Sequence, residues 1–245
     1  MLCPSNVNKA HAQFAVSRSL ALLAASLVAV QAWAGDAPRA TPPPPTAPTN
    51  SGQDPESELL VLFQDKIDIT NSLGAVLVWI PAGFRVGQTE VTQAQYEKVM
   101  GQNPSRFKGP SLPVETVSPT EALAFCRELT AREQKAGKLP KSFAYDLPTE
   151  QDFAIYVQDT TLDTAVVSLI GDRPQPLPVA SLPANPLRLH DVRGNVWEWC
   201  GNAVARGGSY QSHEDYLSPD FRFVGDPSMK IMDIGFRVVL KEVGR

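Results

Sequence analysis

The distribution of apolar residues divides the chain into an apolar leader, a proline-rich stretch and a long mixed region. In the leader, Lys9 and Arg18 precede an apolar run from Leu20 to Val30, and Ala32-Trp33-Ala34 follows it. Basic residues, an apolar run too short to span a bilayer and small residues at a cleavage position are typical of a secretory signal peptide. We therefore predict that residues 1–34 are cleaved on export. The alternative is an uncleaved membrane anchor.

The proline-rich stretch that follows contains almost no large apolar residues. Residues 40–55 include Pro42 to Pro45 and two further prolines among threonine, serine, asparagine and glycine. Because such a composition cannot bury apolar surface, residues 35–58 are predicted to be an extended, disordered linker. A docking site for an aromatic groove is the alternative use of a proline tract. The folded domain is predicted to span residues 59–245.

Alternating apolar residues predict an antiparallel pair of strands near the start of this domain. Gly74 to Ile80 alternates well enough for a strand, and a Pro-Ala-Gly turn closes it. Phe84 to Val91 is predicted to be the antiparallel neighbour. The earlier run from Leu59 to Phe63 fits either a short helix or an edge strand, since periodicity does not distinguish the two.

Three helices with clear start signals follow. Each begins with a capping box, in which a Ser or Thr and a residue three positions later satisfy each other's backbone N–H groups. The boxes pair Thr92 with Gln95, Ser118 with Glu121 and Thr149 with Asp152. Gly101 and Gly137 are predicted to end the first two helices. From Thr160 to Pro186 the pattern changes to proline-rich coil.

The most distinctive stretch of the chain is Asp191-Val192-Arg193-Gly194-Asn195-Val196-Trp197-Glu198-Trp199. Gly194-Asn195 favours a tight turn because both residues tolerate a positive φ. Bulky residues that alternate with a charged one then predict a strand for the rest of the stretch. Trp197 and Trp199 share one face of that strand, where they pack in the core or form the wall of a groove, and Glu198 points the opposite way.

Two carboxylates bracket this turn. Asp191 precedes it and Glu198 follows it, with exposed backbone carbonyls between them. Hard oxygen ligands in this arrangement suit a calcium ion. The alternative is that both acids cap the turn and pair with an arginine such as Arg193 or Arg206.

Together with other motifs in the same order, this stretch resembles the formylglycine-generating enzyme (sulfatase-modifying factor) domain family. The other motifs are Ile80-Pro81-Ala82-Gly83, Thr89-Glu90-Val91-Thr92, Pro113 to Ser118, Ala124-Phe125-Cys126, Leu147-Pro148-Thr149-Glu150, Arg206-Gly207-Gly208-Ser209-Tyr210 and Gly235-Phe236-Arg237. The likeness runs from about Leu77 to Leu240. It implies an α+β fold of the formylglycine-generating-enzyme type, which is C-type-lectin-like. Such a fold is a single domain with little regular secondary structure.

The resemblance also implies a calcium ion with a structural role. Its side-chain ligands fall at Asp191 and Glu198 in this sequence. Its backbone carbonyl ligands fall at Gly194 and Val196.

The copper site of the catalytic members of the family has no match in this sequence. In those members two cysteines, at the second and seventh places after the Arg-Gly-Gly-Ser-aromatic motif, bind copper(I), which prefers thiolates. The enzymes then use dioxygen to convert a substrate cysteine into formylglycine. Here the two positions are Ser212 and Leu217, and neither supplies a thiolate. We therefore expect no copper and no enzymatic activity.

Two cysteines remain once the leader is removed, Cys126 and Cys200. Cys126 lies on the apolar stripe of the second predicted helix and is expected to pack as a small hydrophobe. In the enzymes the matching cysteine pairs with one just after Gly-Phe-Arg, where this chain has Val238, so that disulfide is not expected. A Cys126–Cys200 disulfide is the alternative in an oxidising compartment, although two buried thiols are preferred.

Three residues, Trp197, Ser209 and Tyr216, correspond to groove-lining positions in the enzymes. A groove without its metal retains the shape to hold a peptide. The expected function is therefore a non-catalytic, exported recognition or regulatory module in the periplasm. Some periplasmic members of the family act upstream of a membrane-spanning Ser/Thr kinase that controls type VI secretion, so the expected partner is a periplasmic protein, such as a kinase ectodomain or a lipoprotein. The alternative is a residual metal-dependent oxidase of this family that acts on a protein cysteine.

Net charge argues against a nucleic-acid partner. The formal net charge is −4, and removing residues 1–34 takes away Lys9 and Arg18 but no acidic residue, which gives −6. The remaining chain has no basic cluster that would bind phosphates. It also has no apolar run long enough to cross a bilayer, so no transmembrane segment is expected in the mature chain.

Overall fold

Four helices lie among the residues that the computed structural model describes, which are 54–158, 160–165 and 174–244. They are α1 (Pro55–Gln64), α2 (Gln93–Met100), α3 (Pro119–Lys135) and α4 (Glu150–Tyr156). The three predicted capping boxes are present at the starts of α2, α3 and α4. Gly101 ends α2 with a φ of 75°, as predicted. Two short 3-10 helices span Leu162–Thr164 and Glu214–Leu217.

Nine strands in the same ranges form two sheets. They are β1 (Ile69–Thr70), β2 (Val76–Ile80), β3 (Phe84–Gly87), β4 (Phe143–Asp146), β5 (Trp197–Trp199), β6 (Val204–Arg206), β7 (Phe223–Val224), β8 (Ile234–Gly235) and β9 (Val239–Glu242). The five-stranded sheet has the order β1-β2-β3-β9-β4 and the four-stranded sheet the order β7-β6-β5-β8. The predicted pairing of β2 with β3 is confirmed. The second of these strands ends at Gly87 rather than Val91, because Val91 instead donates its N–H to the carbonyl oxygen of Phe236.

The predicted signal peptide, residues 1–34, and most of the predicted linker lie outside the described residues. The last part of the linker range 35–58 is described, and there the structure differs from the prediction because α1 already begins at Pro55. The side chain of Asp54 accepts a hydrogen bond from the N–H of Glu56, and proline suits the first helical position. The apolar run that fitted a helix or a strand is therefore helical.

Arg85 of β3 attaches the end of α1 to the five-stranded sheet. Its side chain is 1% exposed, and its guanidinium donates to three backbone carbonyl oxygens. These belong to Phe63 (3.0 Å), Asp65 (2.5 Å) and Ile67 (2.9 Å). The last carbonyls of a helix need such donors, so α1 is an integral part of the domain.

The five-stranded sheet separates two apolar clusters. Successive side chains of a strand point to opposite faces, so the neighbours Leu77 and Val78 of β2 belong to different clusters. Leu77 lies in the cluster that contains Phe125 of α3, and Val78 in the one that contains Phe153 of α4. The resulting fold is α+β, as predicted. No helix in the described ranges is long and apolar enough to cross a membrane.

Candidate functional site

The turn that precedes β5 is held by the loop that follows β6. Asp191, Gly194 and Asn195 have left-handed φ values of 57°, 87° and 56°. The N–H of Gly194 donates to the carbonyl oxygen of Gly207 at 2.8 Å, and the N–H of Tyr210 donates to that of Asn195 at 2.7 Å. The two most distinctive motifs of the sequence therefore form a pair of interlocked loops.

Glu198, at the centre of β5, forms a buried ion pair with Arg237. Nε of Arg237 lies 3.1 Å from each carboxylate oxygen, and Nη2 lies 2.7 Å from Oε1. The remaining donors of the guanidinium reach the carbonyl oxygens of Gly87 and His190 at 2.8 and 2.7 Å. The hydroxyl of Tyr156 donates to Oε2 at 3.3 Å, and burial, followed by the charge of Glu198, raises the pKa of this tyrosine.

The arginine that pairs with Glu198 differs from both arginines that the sequence suggested. Arg237 takes this place, although it lies 39 positions further along the chain. Arg206 instead pairs with Glu150 of α4 at 2.8 Å. Arg193 donates to backbone carbonyl oxygens at 2.9 and 2.7 Å. An arginine partner for Glu198 is therefore confirmed, but it is Arg237 rather than Arg193 or Arg206, because the parallel pairing of β5 with β8 places Glu198 opposite Gly235, two residues before Arg237.

Asp191 is buried and has one free carboxylate oxygen. Its Oδ2 accepts the N–H of Ala180 at 2.7 Å, whereas Oδ1 has no hydrogen-bond partner among the described residues. Glu90 lies near it and is 1% exposed; neither of its carboxylate oxygens has a hydrogen-bond partner of good geometry among the described residues, although the side-chain amide of Asn195 is close enough to lower its pKa slightly. Burial, and next the charge of Asp191, raise the pKa of Glu90 well above its ordinary value. Sequence reasoning gave Glu90 no role beyond its place in a family motif.

These contacts fit the predicted calcium site in part. The free Oδ1 of Asp191 suits a hard cation, and Gly194 and Val196 lie in the turn between Asp191 and Glu198. Glu198, however, already accepts hydrogen bonds from three donors, since the Nε–H of Arg237 is shared between both carboxylate oxygens, so its acceptor positions are nearly filled. Among the described residues no group of three or more His, Cys, Asp and Glu side chains is placed to hold a metal. Calcium binding stays a prediction, and Glu198 can join only by giving up one of its hydrogen bonds.

Ser212 and Leu217, at the positions of the copper-binding cysteines, have structural roles. Oγ of Ser212 accepts a hydrogen bond from the N–H of Ser209 at 2.8 Å, which closes the loop between them. Leu217 is fully buried and belongs to a small apolar cluster with Ala165. It contacts Gly208, whose φ is 81° and which has no room for a Cβ atom. One position therefore stabilises a loop and the other fills the core.

The two cysteines are buried free thiols. Cys126 belongs to the apolar cluster on the α3 side of the five-stranded sheet, and Cys200 to the cluster on the α4 side. The bridge between them that the sequence left open is not formed. Burial raises the pKa of both thiols, so neither is activated as a nucleophile.

The three predicted groove residues, Trp197, Ser209 and Tyr216, line one surface groove of about 400 Å³, here called the aromatic groove. Tyr216 is 46% exposed and Trp197 is 7% exposed, whereas Ser209 is fully buried. Phe221 and Phe223 complete the apolar wall. The ring of Phe221 lies 4.8 Å from that of Tyr216 and 5.7 Å from that of Trp197, between centroids. The two phenylalanines, which flank Arg222 in the sequence, were not identified as groove residues from the sequence.

The polar side of the aromatic groove consists of Asp233 with Ser209, Gln211 and Ser212. Oγ of Ser209 donates to Oδ2 of Asp233 at 2.7 Å and accepts the N–H of Gln211 at 3.2 Å. Asp233 is brought here by the parallel pairing of β5 with β8, in which the N–H of Trp197 donates to the carbonyl oxygen of Asp233 at 2.9 Å. Sequence reasoning missed Asp233 because this pairing is not visible in the chain order.

A profile of one protein family matches most of the described chain. The family is FGE-sulfatase, described as "Sulfatase-modifying factor enzyme 1-like domain", and the match covers residues 61–161 and 171–242. Among curated proteins, the "Chaperone protein LppX" of Paenibacillus barcinonensis is 25% identical over 171 residues. That alignment covers 48% of this chain and 61% of the relative, which is less than two thirds of the relative's length.

Several solved structures share the fold. Treponema denticola variable protein 1 superposes with a TM-score of 0.58 at 22% identity, over 70% of this chain and 93% of that one. CarF gives a TM-score of 0.54 at 25% identity, over 65% and 86% of the two chains. PvdO from Pseudomonas aeruginosa gives 0.54 at 18% identity, over 64% and 80%. These similarities agree with the formylglycine-generating-enzyme-like fold expected from the sequence.

Proposed function

Because the chain belongs to the family of sulfatase-modifying factor enzyme 1-like domains, we propose that it is an exported, non-catalytic recognition or regulatory module of that family. We assign the aromatic groove to a protein partner in the periplasm. The residues that replace the copper ligands support the non-catalytic part of this proposal. The residues that line the groove support the recognition part.

The replacement of both copper-binding cysteines carries the non-catalytic part. The hydroxyl of Ser212 is a poor ligand for copper(I), and the side chain of Leu217 is none. Leu217 is also fully buried in a small apolar cluster with Ala165. Cys126 and Cys200, the two remaining thiols, are buried and do not line the aromatic groove. We therefore propose no copper cofactor.

The aromatic groove supports the recognition part. Aromatic side chains bury a large apolar area at a small cost in conformational entropy, and they dominate the energetic centres of protein interfaces. Tyr216 is the most exposed aromatic residue of the groove, and Phe221 packs between it and the largely buried Trp197. The groove thus has an accessible aromatic ring that packs on less exposed ones.

For the biological setting we propose the posttranslational activation of type VI secretion, upstream of a membrane Ser/Thr kinase. This part of the proposal rests on the resemblance to the periplasmic regulator TagR. The partner is then the kinase ectodomain or a lipoprotein beside it. The name of the relative LppX, a chaperone protein, supports a role directed at another protein.

We also propose calcium as a structural cofactor of the turn that precedes β5. The support is the buried Oδ1 of Asp191, which has no hydrogen-bond partner among the described residues. Asp191, with the carbonyl groups of Gly194 and Val196, would hold the ion, and Glu198 would join by releasing a hydrogen bond. The ion would fix the turn that carries β5.

The test of the recognition role is a quantitative capture of envelope proteins with groove variants. The full-length chain is compared with Tyr216→Ala and Ser209→Ala, and with Ile67→Ala as the matched control. Ile67 is 49% exposed, close to the 46% of Tyr216, and it does not line the aromatic groove. We expect an envelope protein that is retained by the wild type and the control but lost by both groove variants. Equal capture by all four proteins, each with a wild-type melting curve, would place the interface elsewhere.

A further inference from the structure

We propose that the aromatic groove binds a lysine side chain of the partner, with the ammonium group between the aromatic rings and the carboxylate of Asp233. This inference rests on the proposed function, because it assumes that the groove is the recognition surface. It adds the chemistry of the group that enters the groove.

Among the residues that the structure describes, Asp233 is a carboxylate without a cation beside it. Its one side-chain hydrogen bond comes from Ser209. Within the described ranges none of the ion pairs includes Asp233. Partial burial without a compensating positive charge raises the pKa of this carboxyl group. A cation that enters the groove would favour the charged form, so the site is electrostatically complementary to a positive group.

The aromatic wall gives the same cation a second attraction. Four rings line the groove, those of Trp197, Tyr216, Phe221 and Phe223. The face of an aromatic ring attracts a cation within about 6 Å of its centroid. Elsewhere in this domain that contact is formed internally, as between Lys241 and the ring of Phe84 at 5.3 Å. The four groove rings have no such cation among the described residues, and Tyr216, which is 46% exposed, is the ring most accessible to an external one.

The donors of a lysine match the acceptors of the groove better than those of an arginine. A planar guanidinium binds a carboxylate best through two parallel hydrogen bonds, one to each oxygen, whereas an ammonium group needs one oxygen, and Oδ2 of Asp233 is held in place by Ser209. An ammonium group is compact and has three donors, one of which would bond Asp233 while the others keep water at the mouth of the groove. The four-carbon stem of lysine would pack along the aromatic wall, as such stems do on apolar surfaces.

The test measures binding of short peptides to the full-length chain by NMR, with the indole N–H signal of Trp197 as the reporter. The probes are glycine peptides with one central residue, which is lysine, acetyl-lysine, arginine or norleucine. The protein is compared with Asp233→Asn, which keeps an acceptor for Ser209 but removes the charge. Asp226→Asn is the control, since Asp226 is exposed and does not line the groove.

We expect the lysine peptide to shift the Trp197 signal in a saturable way, with half-saturation near or below about 10 mM. Asp233→Asn should weaken this binding about tenfold, which is about 1.4 kcal/mol, and Asp226→Asn should leave it unchanged. The acetyl-lysine and norleucine peptides should bind at least about tenfold more weakly than lysine. The arginine peptide should also bind more weakly.

Three results would overturn the proposal. These are no saturable shift, equal binding of lysine and norleucine, and equal binding to the wild type and to a folded Asp233→Asn. None of these results changes what the capture experiment shows about the groove variants, so the recognition role would survive. A capture that does not depend on Tyr216 or Ser209 would instead refute the recognition role itself.

Discussion

The guanidinium of Arg237 and the carboxylate of Glu198 join the two sheets of the domain through a fully buried ion pair. Glu198 lies on β5 of the four-stranded sheet, whereas Arg237 leads into β9 of the five-stranded sheet and also donates to the carbonyl oxygen of Gly87 at the end of β3. Both side chains are at most 1% exposed. The pair therefore fixes the strand that carries Trp197 relative to the rest of the core.

Replacing Arg237 with methionine should strongly destabilise the fold. The variant leaves Glu198 buried without a cation and removes donors from two backbone carbonyls. Breaking one side of a buried ion pair costs roughly 3–5 kcal/mol, and urea denaturation should show a loss of that order in the free energy of unfolding. Arg222→Met, which breaks an exposed pair with Glu150, is the control and should have a small effect. A loss no larger than that of the control would contradict the role of Arg237.

The helix starts were predictable because their chemistry is local. Thr92 and Gln95 lie three positions apart, so the sequence alone shows that each can satisfy the other's backbone N–H. The same holds for the turn at Gly194-Asn195, which needs only residues that tolerate a positive φ. In all these cases the interacting residues are close together in the chain, so their spacing in the sequence is enough to predict the interaction.

The long-range contacts of the candidate site were not predictable in this way. Asp233 meets Ser209 only because β8 pairs in parallel with β5. Glu90 lies near Asp191 in the fold although the two residues are far apart in the chain, and no sequence pattern links them. The resemblance to the family pointed to Ser209, which lines the aromatic groove, but gave no sign that Asp233 lies beside it.

Calcium should raise the melting temperature of the chain. A ligand that binds only the native state adds about 2.7 kcal/mol of stability at a hundredfold excess over its Kd. Asp191→Asn should abolish the response because it removes the charge of the free carboxylate oxygen. Asp215→Asn is the control, since its side chain is 87% exposed and lies outside the turn. Identical melting curves in calcium and in chelator would refute the calcium site.

The stability of the domain should fall in acid partly through Glu150. Hydrogen bonds from Arg222, and then from Asn202 and Arg206, lower the pKa of this carboxyl group from 4.5 to about 2. Because the folded-state pKa is the lower one, the stabilisation is present above about pH 4.5 and is lost as the pH falls towards about 2. Urea denaturation at several pH values should show a steeper loss for the wild type than for Glu150→Gln. Equal slopes for the two proteins would contradict this assignment.

The chain should not convert a cysteine in a peptide into formylglycine. Ser212 and Leu217 cannot supply the two thiolates that copper(I) requires. We expect no aldehyde product by mass spectrometry when the full-length chain is incubated with copper(I), dioxygen, a reductant and a cysteine peptide. The blank contains the same components without metal. Aldehyde formed faster than in the blank would show that the domain is an oxidase.

Photo-crosslinking from inside the aromatic groove tests the central claim most directly. Benzoylphenylalanine is introduced at Tyr216 in cells that export the chain, and at Ile67 as the control of matched exposure. We predict a crosslink to one envelope protein from position 216 that is absent from position 67. The yield should fall when Asp233→Asn is combined with the label at position 216. No product from position 216, or the same products from both positions, would contradict the assignment of this groove to a protein partner.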